Sequence, residues 1–455
     1  MRKTSPLVLL PLLLALGGCA SWTSTPYEAP VLDLPARWTP PALPAGVETT
    51  ANWWQAFNDP ALNTLVDEVL ARNNDLAVAG LRLQQARLQA GLAFSNQLPS
   101  VSVRQTGNAS RQLGQGDSVT HAYGLTGGLS YEVDLWGKLS RQHDASQWEA
   151  EATAADLAGT RLTLIGSTAT LYWQLGYLNQ RLTLAQANTA YTAETLKLVE
   201  AQYRAGAASR LEVLSASQSL ESQKASETDL MQQREEARSA LAILLDGPPG
   251  RVLPEPSLLP EASPPEVPAG LPAGLLARRP DLMAAELRLR SSLASVDVTR
   301  ASFYPVLSLT GSLGTSSAAL GQLLQNPLGM LASELTLPFL NWNERRLSVQ
   351  VSENEYQQAQ TKFRQTVYGA LKEVHDSLSA RQQLAEKDAR LTASLAAARE
   401  VERLYGVRYR VGATSLKDWL DAQQTRRTAE TGWLDNRFEQ YRRQIILYQA
   451  LGGGA

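Results

Sequence analysis

The stretch His121-Ala122-Tyr123-Gly124-Leu125-Thr126-Gly127-Gly128-Leu129-Ser130-Tyr131-Glu132-Val133-Asp134 alternates with a period of two. Tyr123, Leu125, Gly127, Leu129, Tyr131 and Val133 fall on one side, and Gly124, Thr126, Gly128, Ser130, Glu132 and Asp134 on the other. That is the signature of a strand with one apolar and one polar face. Three more segments follow the same rule. In 305–314, Leu307, Leu309, Gly311 and Leu313 oppose Ser308, Thr310, Ser312 and Gly314. In 331–339, Leu331, Leu335, Leu337 and Phe339 oppose Ala332, Glu334 and Thr336. The weakest is 99–110, with Val101 and Val103 against Ser102, Arg104 and Thr106. Polar loops at 111–120 and 315–327 join the strands into two hairpins, about 99–134 and about 305–340.

A polar face of Gly, Ser and Thr suits the lumen of a membrane barrel, and the apolar face then meets lipid. Four strands cannot span a bilayer alone, because open edges leave backbone groups unpaired in hydrocarbon at several kcal/mol each. The smallest single-chain barrels have about eight strands. Two copies of this chain would supply about eight strands and three about twelve. Physics demands closure and leaves the copy number open.

Outward from the strands, the chain repeats itself. Tyr203-Arg204-Ala205-Gly206-Ala207-Ala208-Ser209 recurs as Tyr409-Arg410-Val411-Gly412-Ala413-Thr414-Ser415, an offset of 206 (409 minus 203). The same offset carries Asp75-Leu76 onto Asp281-Leu282, Pro99 onto Pro305 and Trp136 onto Trp342, with no gap. Internal repeats decide an architecture, so two equivalent halves are expected, about 60–247 and 266–453. The corresponding domain plan is a segment 60–247, a linker 248–280 and a segment 281–455. Ten of the 23 prolines fall in 247–280, which makes the linker extended and superficial.

No proline interrupts Lys138 to Tyr203, or its counterpart Glu344 to Tyr409. A 66-residue helix is about 100 Å long, far beyond an ordinary domain helix. Leu164, Thr168, Leu171, Leu175, Leu178 and Leu182 step by four and three, as do Val367, Leu371, Val374 and Leu378. This is a coiled-coil seam. Return helices are expected over about 209–246 and 415–451, so the long helix pairs occupy 138–246 and 344–451. Gly206 and Gly412 suit the left-handed residue after a helix. Ser209 and Ser415, followed three residues later by Glu212 and Asp418, suit N-caps closed by capping boxes.

The beginning of the chain reads as an export signal, 1–18: Arg2 and Lys3, then an apolar run from Leu7 to Leu16. Leu16-Gly17-Gly18-Cys19 resembles a bacterial lipobox, which implies lipidation of Cys19 and a lipidated tether over 19–59. Ala20 and Ser21 follow, with no Asp, which in enteric-type lipoproteins implies outer-membrane sorting. The rest of the 455 residues contains no apolar run long enough for a membrane helix. Lys plus Arg number 42 against 44 Asp plus Glu, so nothing marks a nucleic-acid binder. The three histidines, His121, His143 and His375, have no metal-ligand spacing. No nucleophile elbow or phosphate loop occurs. Neither an enzyme nor a metal or organic cofactor is expected; the one covalent group is the lipid on Cys19.

The chain resembles the TolC-like outer-membrane factors, in particular the lipoprotein (NodT-type) branch of efflux outer-membrane subunits, over nearly all of its mature length. The resemblance is carried by Trp53-Trp54-Gln55-Ala56-Phe57-Asn58-Asp59-Pro60, by Tyr131-Glu132-Val133-Asp134-Leu135-Trp136-Gly137-Lys138, and by Tyr409-Arg410-Val411-Gly412 with Leu420-Asp421-Ala422-Gln423. The second-half segment Leu337-Pro338-Phe339-Leu340-Asn341-Trp342-Asn343 departs at Asn343, where glycine is usual. The fold this implies is an α+β membrane protein: a homotrimer with a twelve-stranded β-barrel, four strands per chain, continuous with a twelve-helix periplasmic α-barrel. It also implies a passive exit duct for small molecules (drugs, toxic compounds or metal ions) in the outer membrane of a Gram-negative bacterium. The tips at Gly206, Ser209, Gly412 and Ser415 would meet a periplasmic adaptor, coupled to an inner-membrane pump of RND type. Asp421 would face the periplasmic constriction. Lys417, one turn before it, stands where relatives carry an apolar residue, which points to an Asp–Lys charge network as the gate. Two alternatives remain at this level: a duct of the same family for type I protein secretion, and a pore-less lipoprotein scaffold.

Overall fold

The computed structural model describes residues 23–38, 52–111, 119–265, 274 and 277–453. The signal segment 1–18, Cys19 and parts of the tether and linker lie outside the described residues.

Two series of elements follow one another. The first is α1 (Pro60–Arg72), α2 (Asn74–Ser95), β1 (Ser100–Arg111), β2 (Val119–Val133), α3 (Lys138–Arg204) and α4 (Arg210–Leu244). The second is α5 (Pro280–Ala301), β3 (Val306–Ser317), β4 (Pro327–Thr336), α6 (Trp342–Arg410) and α7 (Leu416–Ala450). From α2 to α5, β1 to β3 and α4 to α7 both ends move by 206 residues (280 minus 74, 306 minus 100, 416 minus 210). The helices α3 and α6 contain 67 and 69 residues. The chain divides into two compact units, one of residues Met1–Leu32, Leu81–Ala155 and Met283–Thr366, and one of Asp33–Gly80, Asp156–Leu282 and Val367–Ala455.

The first unit holds a four-stranded antiparallel sheet in the order β1-β2-β3-β4. Its register sorts the side chains. Val101 pairs with Leu129, Leu129 with Gly311, and Gly311 with Leu331. One step along, Ser102 pairs with Gly128, Gly128 with Ser312, and Ser312 with Met330. Directly paired residues share a face, so the apolar and polar rows separate across β1, β2 and β3, while Met330 and Leu328 of β4 fall on the polar side. The apolar row is bare: Val101 is 78 %, Val103 76 %, Leu313 74 % and Leu331 87 % exposed. On the polar face, glycines admit the neighbouring strand. A Cβ at Gly124 would lie 2.7 Å from Thr106 Oγ1, and one at Gly314 2.9 Å from Thr126 Oγ1.

Two details differ from the sequence pattern. The fourth strand ends at Thr336, so Leu337 and Phe339 lie beyond it, with Pro338–Leu340 in a 3-10 turn. Pro338 has no N–H for the ladder and its fixed φ starts the turn. Between β3 and β4, within the expected loop, Leu320–Gln325 forms another 3-10 turn. At the junction to α3, Asp134 accepts the amides of Leu139 (3.0 Å) and Ser140 (2.8 Å), Gly137 takes a φ of +71°, and Lys138 pairs with Glu132. This explains the chemistry of the Tyr131–Lys138 motif: it is a strand end, a turn and a helix cap in succession. The tether is fastened here as well. Thr25 donates from N (2.8 Å) and Oγ1 (2.6 Å) to the buried carboxylate of Asp297 on α5.

The second unit is built on seams. Leu164, Thr168, Leu175, Leu178 and Leu182 of α3 are buried, as are Val367, Val374 and Leu378 of α6. Trp53 stacks on Tyr448 with ring centroids 4.7 Å apart, and Phe57 lies against Trp173 and Tyr441. Asp59 caps α1 by accepting the amides of Ala61 and Leu62, and it also accepts the hydroxyl of Tyr172 (2.8 Å). Burial, and then this bond to a carboxylate, push the Tyr172 phenol well above its ordinary range. The linker residues 248–265 form no helix or strand, yet they are held closely. Asn179 donates to the Pro256 carbonyl, Arg238 pairs with Glu255, and Leu259 is buried. Gly176 leaves the space that Pro256 and Leu258 occupy.

The guanidinium of Arg279, 8 % exposed, donates to Asp281 and Glu373 (2.8 Å each) and to the Ala450 carbonyl (3.0 Å). Both carboxylates are about half exposed, so their ion pairs contribute little. The carbonyl is different, because a buried acceptor left without its donor costs about 1–3 kcal/mol. Arg279→Ala is expected to destabilise the folded chain by about 2 kcal/mol, and Glu373→Gln by less than about 1 kcal/mol, in denaturant titrations in detergent. Equal losses would show that the ion pair dominates.

Candidate functional site

The two helix turns Gly206–Ser209 and Gly412–Ser415 are built alike. Gly206 and Gly412 sit at φ +75° and +73°, where a side chain is strained. The Ala207 amide donates to the Gln202 carbonyl and the Ala413 amide to the Arg408 carbonyl, each at 2.8 Å. These six-to-one bonds satisfy carbonyls that a helix end otherwise orphans. Ser209 accepts from the Glu212 amide while its own amide donates to Glu212 Oε2 (2.6 Å). Ser415 accepts from the Asp418 amide, and its own amide donates to Asp418 Oδ2 (3.2 Å). Both are complete capping boxes.

A small core fixes the turns to one another: Val199, Val213, Ala216, Tyr409, Leu416 and Trp419. Tyr409 stacks on Trp419 at 5.1 Å and donates its hydroxyl to Gln202 Oε1 (2.5 Å). Its repeat-related partner Tyr203 is 44 % exposed. Equivalent sequence therefore has unequal surroundings. The sequence pattern marked the turns and missed this aromatic pair, whose signal is an aromatic at the helix end facing another one turn into the next helix. It also missed the cluster behind it, where Arg426 pairs with Glu402 and Glu430, and Arg399 with Glu430, all at 2.6 Å. Charged residues at i and i+4 in the seam of α7 were the available clue.

Lys417 and Asp421 are brought together. Lys417 Nζ donates to Asp421 Oδ2 at 2.6 Å on an exposed face of α7, and the carboxylate holds the ammonium above the ordinary lysine value. The pair stands at a groove of about 690 Å³ between the N-terminal parts of α4 and α7. Asp418 is not part of it; its oxygen accepts from Ser415 and Thr414. Among the described residues there is no group of three His, Cys, Asp or Glu able to hold a metal ion. No described helix is long and apolar enough to cross a membrane.

An amphipathic four-stranded sheet with open edges, and long paired helices ending in capped turns, define a membrane channel rather than a catalyst. The description "Outer membrane efflux protein" matches residues 65–247 and again 271–453, the second match displaced by 206 residues (271 minus 65, 453 minus 247). The chain belongs to the outer membrane efflux protein family. It is 32 % identical over 465 residues to the pyoverdine export outer membrane protein OpmQ of Pseudomonas putida, covering 98 % of this chain and 97 % of that protein. Among solved structures it resembles the outer-membrane channel OprN with a TM-score of 0.86 at 29 % identity, covering 94 % of this chain and 98 % of that one. It also resembles the open state of the Neisseria gonorrhoeae MtrE outer membrane channel, with a TM-score of 0.84 at 29 % identity and coverage of 95 % and 98 %. The protein is thus an outer-membrane channel subunit of a tripartite efflux system and not an enzyme.

Asp418 offers a titration test of the second turn. Its bonds from the Ser415 and Thr414 hydroxyls, and then from the Ser415 backbone, hold its carboxyl below the ordinary aspartate value. A depressed folded value means that the stabilisation is present above the ordinary value and is lost as pH falls through the folded one. Amide protection at residues 415–418, corrected for intrinsic exchange, is expected to hold from about pH 7 to about pH 4 and to fall below that. In Asp418→Asn the acid dependence disappears.

Proposed function

We propose that three copies assemble into a twelve-stranded barrel that carries small molecules across the outer membrane, with the helix turns forming its periplasmic mouth. The observation that carries this reading is the pair of open sheet edges beside a bare apolar face. In the order β1-β2-β3-β4 the two edge strands run in opposite directions. The β4 edge of one copy therefore meets the β1 edge of the next as an antiparallel ladder, and the ring closes with an even strand number. Any number of copies from about two upward satisfies that rule; the family resemblance selects three.

The polar row of Ser102, Thr126, Ser130, Ser308, Thr310 and Ser312 then lines the lumen, and the apolar row faces acyl chains. A lipid on Cys19 adds a second membrane attachment. The turns at Gly206, Ser209, Gly412 and Ser415 dock a periplasmic adaptor, which couples the duct to an inner-membrane pump of RND type. Lys417 and Asp421 form the resting gate. Three copies place like pairs around one axis, where each ammonium limits carboxylate repulsion and crossed pairs hold the mouth narrow. The likeness to a channel described in an open state supports a mouth that opens and closes. The cargo is a small molecule, as in the pyoverdine exporter named above.

Native mass spectrometry of protein extracted from outer membranes is expected to read three copies, each carrying acyl chains at Cys19. A water-soluble monomer sinks the proposal. Asp421→Ala is expected to raise the resting single-channel conductance in planar bilayers and to sensitise cells to large antibiotics. If both match the unsubstituted protein, the gate lies elsewhere while the duct stands.

A further inference from the structure

Arg427 on α7 is 7 % exposed and lines the groove between α4 and α7. No described carboxylate pairs with it. Nε and Nη2 donate to Gln424 Oε1 at 3.3 and 3.0 Å, and Nη1 donates to Gln423 Oε1 at 3.5 Å. Both acceptors are neutral amide oxygens one turn back on the same helix. The adjacent arginine, Arg426, takes both nearby glutamates, Glu402 and Glu430. Burial, and then the charge of Arg426, pull the Arg427 guanidinium below its usual value, while the charge of Glu402 opposes them. A buried cation without a hydrogen-bonded carboxylate is costly, and a bound anion lowers that cost.

The groove has the form of a site for such an anion. It is about 690 Å³, room for a small organic molecule. Arg427, Gln424 and Ser219 line it together with Leu211, Leu214 and Leu420. Leu211 and Leu214 are exposed and available for contact. The acidic groups at the mouth are already engaged, Asp421 by Lys417 and Glu212 by the Ser209 cap. A guanidinium presents a planar fork that matches a carboxylate with two parallel bonds.

We propose that the groove between α4 and α7 binds small amphipathic carboxylates, with the acid group on Arg427 and the apolar body along Leu211, Leu214 and Leu420. The site goes beyond the duct reading and does not depend on it, since one chain supplies every residue. It gives the mouth a place where an anionic molecule rests just behind the Lys417–Asp421 pair.

The test uses the full-length protein in detergent and 2-naphthoate as probe, with neutral 2-naphthamide as control, read by isothermal titration calorimetry. Naphthoate is expected to bind and naphthamide to bind at least about ten-fold more weakly, the size of a charge-assisted hydrogen bond. Arg427→Gln should lose about ten-fold or more of the naphthoate affinity, and Arg427→Lys should retain part of it. Ser219→Phe, which fills the groove and leaves the arginine, should lose binding too. Equal binding of naphthoate and naphthamide, or equal binding by the unsubstituted protein and Ser219→Phe, overturns the proposal. So does an unsubstituted protein that takes up no naphthoate while Arg427→Gln loses its subunit ring in native mass spectrometry; that outcome assigns Arg427 to a neighbouring copy.

Discussion

The backbone polar groups along the outer edges of β1 and β4 set the terms for the rest of the molecule. Strand β1 offers one row of N–H and C=O groups to β2 and leaves the other row without a strand partner among the described residues. Water satisfies such a row at little cost, whereas hydrocarbon does not, and each group left bare there costs several kcal/mol. No gain from packing Val101 or Leu331 against lipid outweighs a full row of such penalties. The apolar row and the open edges therefore belong to one design. The row suits the sheet to a bilayer, and in the proposed ring the neighbouring copies pair those edges.

Curvature follows from the same demand. A ring of strands must bend toward its lumen, and side chains on the inner face crowd first. Gly124 and Gly314 stand where Thr106 and Thr126 reach across to the neighbouring strand. Glycine in a strand weakens it in isolation, by roughly 0.5–1 kcal/mol relative to alanine. The closer approach of neighbouring strands offsets that loss. At the end of β2, the capping residue Asp134 turns the strand into α3.

How much of this was legible follows from how local each feature is. Gly206 with Ser209 and Gly412 with Ser415 announce turns because left-handed backbone and capping need only residues within one helical turn. The strand faces could be read because the period is fixed at two and the register preserves it, as Leu129 opposite Val101 illustrates. The end of β4 was misplaced because alternation continues through Leu337 and Phe339 while Pro338 ends the ladder. What escaped were contacts made at long range. Tyr203 and Tyr409 share a motif, yet only Tyr409 finds a tryptophan. Glu430 stands one turn from Arg426 in sequence, but Glu402 comes from another helix, so the spacing alone does not reveal that Arg426 holds both. Composition does not show which charge goes unmatched.

The stacking of Trp53 on Tyr448 has a consequence for how the molecule is made. The two rings are 395 residues apart in sequence (448 minus 53). Arg279 likewise waits for the Ala450 carbonyl, and the Trp53 ring lies beside Gly453. Contacts of such separation form late, because closing a loop of that length opposes them until the intervening helices are in place. Until the last turn of α7 is made, the Trp53 ring is without Tyr448, and the chain locks only when that turn is in place.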